Sequence, residues 1–139
     1  MIVYKEHTSM KLSITNMKKA RVDDSILVQG KVAPCADGFA INLGHDNSNL
    51  LIQCNPHFGE RVIVYNSKKD GNWGEEMRDH HFPFAQGEDT KLTFTLNHNE
   101  VTVTYPDGQV FDFKSQIIPD FVKYISVEGD FEVQSIDIQ

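Results

Sequence analysis

The sequence predicts an all-β fold, a sandwich or a barrel of antiparallel strands, and three observations carry that prediction. Apolar and polar residues alternate with period two through several windows, the pattern of strands with one buried face. These windows are short and are separated by clusters of Gly, Pro, Asp and Asn, the punctuation of many strands rather than a few long helices. With 139 residues, 40% of them hydrophobic and 24% charged, the chain can bury a sizeable core, and it is expected to form one domain over 1–139.

Strand-like windows run over residues 25–32, 39–43, 50–54 and 61–65. The clearest alternation comes next: Leu92, Phe94 and Leu96 face one way while Thr93 and Thr95 face the other. Residues 101–105 and 110–113 repeat the pattern. Asn97-His98-Asn99 and Pro106-Asp107-Gly108 are turn formers between them, so 91–113 reads as an antiparallel meander. Residues 115–122 are expected to hold a short helical turn, and 124–127 and 131–138 form a last strand pair around Glu128-Gly129-Asp130. Residues 1–9 are the stretch expected to be most mobile.

Thirteen Lys and Arg against twenty Asp and Glu leave a formal charge of -7, which repels phosphate backbones and anionic lipid and argues against a nucleic-acid or membrane partner. No run approaches the roughly 20 apolar residues that a spanning helix needs. The polar start, Met1 to Met10, lacks the apolar core of a signal peptide, so a cytoplasmic protein is expected. Cys35 and Cys54, with no paired Cys spacing, are expected to be reduced thiols rather than a zinc framework.

The stretch from Leu51 to Phe84 holds the only tryptophan and the most polar strand positions. Gln53, Asn55 and His57 share one strand face while Ile52 and Cys54 point the other way. Val62, Val64 and Asn66 share a parity on the next strand, and Glu76 and Arg78 share one farther on. If these strands are neighbours, their amides, carboxylate and guanidinium converge beside Trp73. Such a face suits a sugar, because polar groups orient hydroxyls while a flat aromatic covers the apolar side of a pyranose ring. The bland alternative is a partly buried Trp73 beside a solvated Glu76–Arg78 pair worth at most about 1 kcal/mol.

Four runs with their spacing resemble the carbohydrate-recognition signature of the galectins: Asn55-Pro56-His57-Phe58, Val64-Tyr65-Asn66-Ser67, Trp73-Gly74-Glu75-Glu76-Met77-Arg78 and Phe82-Pro83-Phe84. Echoes at 30–34, 42–44, 105–108 and 129–131 extend the resemblance over nearly the whole chain. It implies a two-sheet antiparallel β-sandwich of jelly-roll type that binds β-galactosides without calcium, without a cofactor and without catalysis. Carried over by position, Asn55 resembles the family's contact to the galactose 4-hydroxyl, and Asn66 and Glu76 resemble the pair that reads the 6-hydroxyl. Trp73 resembles the stacking platform, Arg78 the Arg that pairs with Glu76 and reaches the second sugar, and Val64 the apolar position on the same face. The resemblance also implies that a cytosolic chain is exported by a route needing no signal peptide.

The sequence departs from the family where the pattern has His-x-Asn-Pro-Arg and this chain has Gln53-Cys54-Asn55-Pro56-His57. His57 is shorter than Arg and offers no planar bidentate fork, and one lost charge-assisted hydrogen bond is worth roughly 1.5–3 kcal/mol. The loop Gly59-Glu60-Arg61 is also short, which opens the rim, and Arg61 is expected to be solvated rather than to replace the missing Arg. Three outcomes stand open: weakened or conventional galactoside binding, a shifted preference that admits mannosides, or a protein-interaction relative that has lost sugar binding.

Asp79-His80-His81 alternates across a strand and lacks the spacing of a zinc site, and the turn 44–49 lacks the acidic spacing of a calcium loop, so no metal is expected. Glu75 and Glu76 face apart and do not form a glycosidase pair. The resemblance further implies a homodimer joined through terminal strands, here 10–15 and 131–138, although Lys11, Lys18, Lys19, Glu132 and Asp137 place charge on those edges.

Overall fold

The computed structural model describes residues 10–15 and 17–139, and the expectation for 1–9 lies outside the described residues. Fourteen strands follow in order. They are β1 Met10–Ile14, β2 Ala20–Arg21, β3 Ser25–Val32, β4 Phe39–Asp46, β5 Asn49–His57, β6 Val62–Lys69 and β7 Asn72–Trp73. Then come β8 Met77–Asp79, β9 Asp89–Leu96, β10 Val101–Thr104, β11 Val110–Phe113, β12 Phe121–Val122, β13 Tyr124–Gly129 and β14 Phe131–Ile138.

A seven-stranded sheet has the order β1-β13-β4-β5-β6-β7, with β8 also paired to β6, and a five-stranded sheet has the order β11-β10-β9-β3-β14. A small ribbon, β2 with β12, completes the fold. All pairings are antiparallel.

Period-two alternation decides what lies between the sheets. Ile26, Val28, Leu92, Phe94 and Val103 face inward from one sheet, and Ile41, Leu43, Ile52, Ile63, Ile125 and Val127 from the other, all essentially fully buried. Phe39 stacks on Phe131 at 4.8 Å between ring centroids and meets Phe84 edge-on at 5.8 Å, closing one end of this core. Cys54 is part of it, and burial pushes its thiol up to about 12. Cys35 is exposed, and both thiols are free.

The crossing from one sheet to the other at β13–β14 needs Gly129. Its φ is 96°, and a side chain there would stand 2.7 Å from the Gly38 carbonyl oxygen. Among the described residues, β1 and β14 are edge strands of their two sheets.

The helical turn expected at 115–122 is not formed. Pro119 disfavours a helical backbone at Ile118, and Gln116 straps the segment to β6 by donating its backbone N–H to Ser67 Oγ at 3.1 Å and its Nε2 to Ser67 O at 3.0 Å. Phe121–Val122 then pairs with Ala20–Arg21 as a strand.

Candidate functional site

The outward face of the seven-stranded sheet carries a groove lined by Gln53, Asn55 and His57 from β5, Val64 and Asn66 from β6, Trp73 from β7, Arg78 from β8, and Glu76 just before it. All eight residues singled out in the sequence are therefore brought to one place. Glu60 and Gly74 line it too. Register explains the convergence: Gln53 faces Asn66, Asn55 faces Val64, and Val64 faces Arg78 on the far side. Glu76 precedes β8 rather than continuing it as a strand residue, yet its side chain still reaches the groove.

Pro56 orients Asn55. The register Ile41↔Cys54 and the bridge Gly38↔His57 put Phe39 opposite Pro56, whose nitrogen carries no proton. The Asn55 side chain supplies the missing donor, Nδ2 giving a 2.6 Å hydrogen bond to Phe39 O. Its Oδ1 then faces His57 Nε2 at 2.9 Å, and because that oxygen only accepts, His57 carries its proton on Nε2. Asn66 is fixed in a similar way: Nδ2 donates to Gly74 O at 3.1 Å and Oδ1 accepts from Ser67 N at 2.8 Å.

Trp73 is 47% exposed, far more than the aromatic residues of the core. The Lys68 ammonium stands 4.8 Å from its ring centroid and also donates to Asn47 O at 3.2 Å. At the far end Arg78 sits between two carboxylates, 3.4 Å from Glu76 and 3.6 Å from Glu60. These side chains are 47–68% exposed, so each pair contributes at most about 1 kcal/mol and leaves the guanidinium free to re-aim. Glu60 was missed in the sequence because it stands in a loop with no periodicity. Arg61 leaves the groove: held at φ 52°, it lies over Phe82 at 5.2 Å from the ring centroid.

A second hollow continues the groove across the same face. Gln53 and Trp73 line both, and Asn42, Ser126, Ser13 and Tyr124 line only the second. Gln53 Nε2 donates to Asn42 Oδ1 at 3.0 Å, and Asn42 Nδ2 donates to Ser126 Oγ at 3.0 Å. Register makes Asn66, Gln53, Asn42, Ser126 and Ser13 one polar row across five neighbouring strands.

The other candidate ligand clusters are committed elsewhere. Asp79 accepts from His81 N and Tyr105 Oη, His81 pairs with Asp107, and Asp46 Oδ1 accepts from Ser48 N and Asn49 Nδ2 to shape its turn. No helix among the described residues is long and apolar enough to cross a membrane.

The family model for galactoside-binding lectins matches residues 10–138. A 16 kDa beta-galactoside-binding lectin of the chicken, Gallus gallus, is 38% identical over 117 residues, 81% of this chain and 87% of that protein. The solved structure of a homodimeric agglutinin from chicken liver superposes with a TM-score of 0.88 at 35% identity, covering 94% of this chain and all of that one. A toad ovary galectin solved with thio-digalactose gives 0.85 at 29% identity, covering 93% and 98%. With the sandwich, the groove and these likenesses together, the chain belongs to the galectins, a family of galactoside-binding lectins that bind sugars without transforming them.

Proposed function

We propose that the groove of Asn55, Asn66, Trp73, Glu76 and Arg78 holds one β-galactoside unit, with Gln53, His57 and Val64 completing its wall. The observation that carries this reading is the convergence of a half-exposed indole with two amides whose orientation is fixed from behind. The indole offers an apolar plane, Asn55 and Asn66 keep one amide proton and one oxygen lone pair each for hydroxyls, and Glu76 and Arg78 offer charge-assisted partners. The toad ovary relative solved with thio-digalactose supports a galactoside as the ligand. The second hollow extends the same face for longer linear glycans.

Affinity is weaker and selectivity broader than the family's His-x-Asn-Pro-Arg pattern would give. His57 spends its Nε2 proton on Asn55 and Gln53 commits Nε2 to Asn42, so the donors on this wall are turned partly inward. Losing one charge-assisted bond to the ligand lowers affinity roughly 10- to 100-fold and narrows the margin over sugars with an equatorial 4-hydroxyl, mannosides included. A glycan array at neutral pH tests this, with lactose as soluble competitor. Weak galactoside signals removed by lactose, together with detectable mannosides, are expected. Silence on every glycan would replace this reading with a protein-interaction module.

The domain acts as a homodimer with two outward grooves, which cross-links glycans by avidity. The edge positions of β1 and β14 among the described strands and the homodimeric chicken relative support this arrangement. Sedimentation across a concentration series is expected to show a reversible dimer, and a monomer at every concentration would remove the cross-linking role. Two free thiols, one of them exposed, fit a chain that resides in the reducing cytoplasm before any export.

A further inference from the structure

Strand β8 is three residues long, pairs among the described residues with β6 alone, and carries Arg78 to the groove. Pairing this short does not by itself fix a strand. The residue after Arg78 points the other way, and there the structure supplies a second anchor. Asp79 Oδ2 accepts from Tyr105 Oη at 2.7 Å, and Oδ1 accepts from His81 N at 3.0 Å. With its proton given to Asp79, Tyr105 Oη accepts from Tyr65 Oη at 2.6 Å. Tyr65 is a fully buried residue of β6 that faces Met77 in the β6–β8 register. Tyr105 directly follows β10, a strand of the opposite sheet. Two residues along each segment, His81 Nε2 meets Asp107 Oδ2 in a second rung, and the Asp107 carboxyl lies below its usual range, chiefly through the Gln109 backbone N–H and then through His81. Burial pushes both phenols up, so both stay protonated donors.

We infer that Tyr105 and Asp79 are positioning residues of the glycan groove: Tyr105, reaching across from the end of β10, holds β8 through its Asp79 carboxylate and so sets where Arg78 presents its guanidinium. Neither lines the groove. The chain Tyr65–Tyr105–Asp79 closes a ring with the Ile63↔Asp79 and Tyr65↔Met77 pairs, so β8 cannot shift without breaking the part-buried Tyr105–Asp79 hydrogen bond, which is anchored in turn by the buried Tyr65 hydroxyl. The solvated Glu60 and Glu76 partners cannot do this, because they re-aim with the side chain they hold.

The inference rests on the glycan reading above, and its test separates the two. Tyr105→Phe keeps the ring that packs edge-on against Phe84 but deprives Tyr65 Oη and Asp79 Oδ2 of their shared partner. Lactose affinity of the full chain, measured well below the melting temperature, is expected to fall about three- to tenfold. In an Arg78→Ala background the same substitution is expected to change affinity by less than about twofold, because its route to the ligand is gone. Amide exchange at 77–79 should rise while that at 53–57 stays unchanged. Asp79→Asn should fall between wild type and Tyr105→Phe, since an amide accepts from Tyr105 but turns a donor toward His81 N–H. Equal losses in both backgrounds, no loss in either, or unchanged exchange at 77–79 overturn the inference. A wild-type chain silent toward lactose overturns the glycan reading instead, and the exchange measurement still decides whether Tyr105 holds β8.

Discussion

Trp73→Ala is expected to abolish retention on immobilised lactose while leaving the fold intact. The exposed half of the indole is the largest apolar surface in the groove, and covering part of it with a pyranose face contributes roughly 2 kcal/mol at about 25 cal/mol per Å². Removing it therefore lowers affinity about thirtyfold. The weak binding proposed above then falls below what a column retains. The cost to stability is small for the same reason that the effect on binding is large: the ring lies outside the core, on a two-residue strand. What the fold loses is the Lys68 contact, about 0.5–1 kcal/mol at an exposed site, while Lys68 keeps its hydrogen bond to Asn47 O. Titration with lactose, read beside a thermal melt, checks both halves. Unchanged lactose affinity would mean that the sugar sits elsewhere, and a melt lowered by ten degrees or more would mean that Trp73 is structural.

How far the sequence reveals this site follows from which forces act locally. The parity that sends Gln53, Asn55 and His57 outward and Ile52 and Cys54 inward is legible because period-two alternation is a property of one strand beside one core. That Asn66 lies opposite Gln53, and Arg78 opposite Val64, is set by register between strands, which no single window contains. There the spacing shared with a known family carried the prediction. Asn42 and Ser126 stand 84 positions apart and meet only because β13 returns beside β4. Tyr65 and Tyr105 fall in two separate strand-like windows, and nothing local shows that their hydroxyls find each other or that Asp79 receives that of Tyr105. The short helical turn expected at 115–122 failed partly against Pro119, which is local, and partly against a long-range constraint of the same kind, the hydrogen bonds from Gln116 to Ser67.

His57→Arg is expected to raise lactose affinity about tenfold and to widen the margin of galactosides over mannosides. The groove's far end holds two carboxylates, Glu60 and Glu76, and one guanidinium, Arg78, so a further cation meets partners already in place. Arg extends farther than His and presents a rigid fork, which lets it engage an acid on one edge and keep N–H donors for a sugar hydroxyl on another. A charge-assisted hydrogen bond of about 1.5–3 kcal/mol, reduced by solvent exposure and the ordering of a long side chain, leaves about 1.4 kcal/mol, which is tenfold. The Asn55 Oδ1 that His57 now occupies must be satisfied as well, and an Arg N–H or the ligand can do so. Calorimetry with lactose and methyl mannoside measures both affinities, and His57→Lys supplies the control, since Lys brings the charge without the fork. An equal gain with Lys would assign the effect to charge alone, whereas no gain with either would show that position 57 does not face the sugar and that selectivity is set at Gln53.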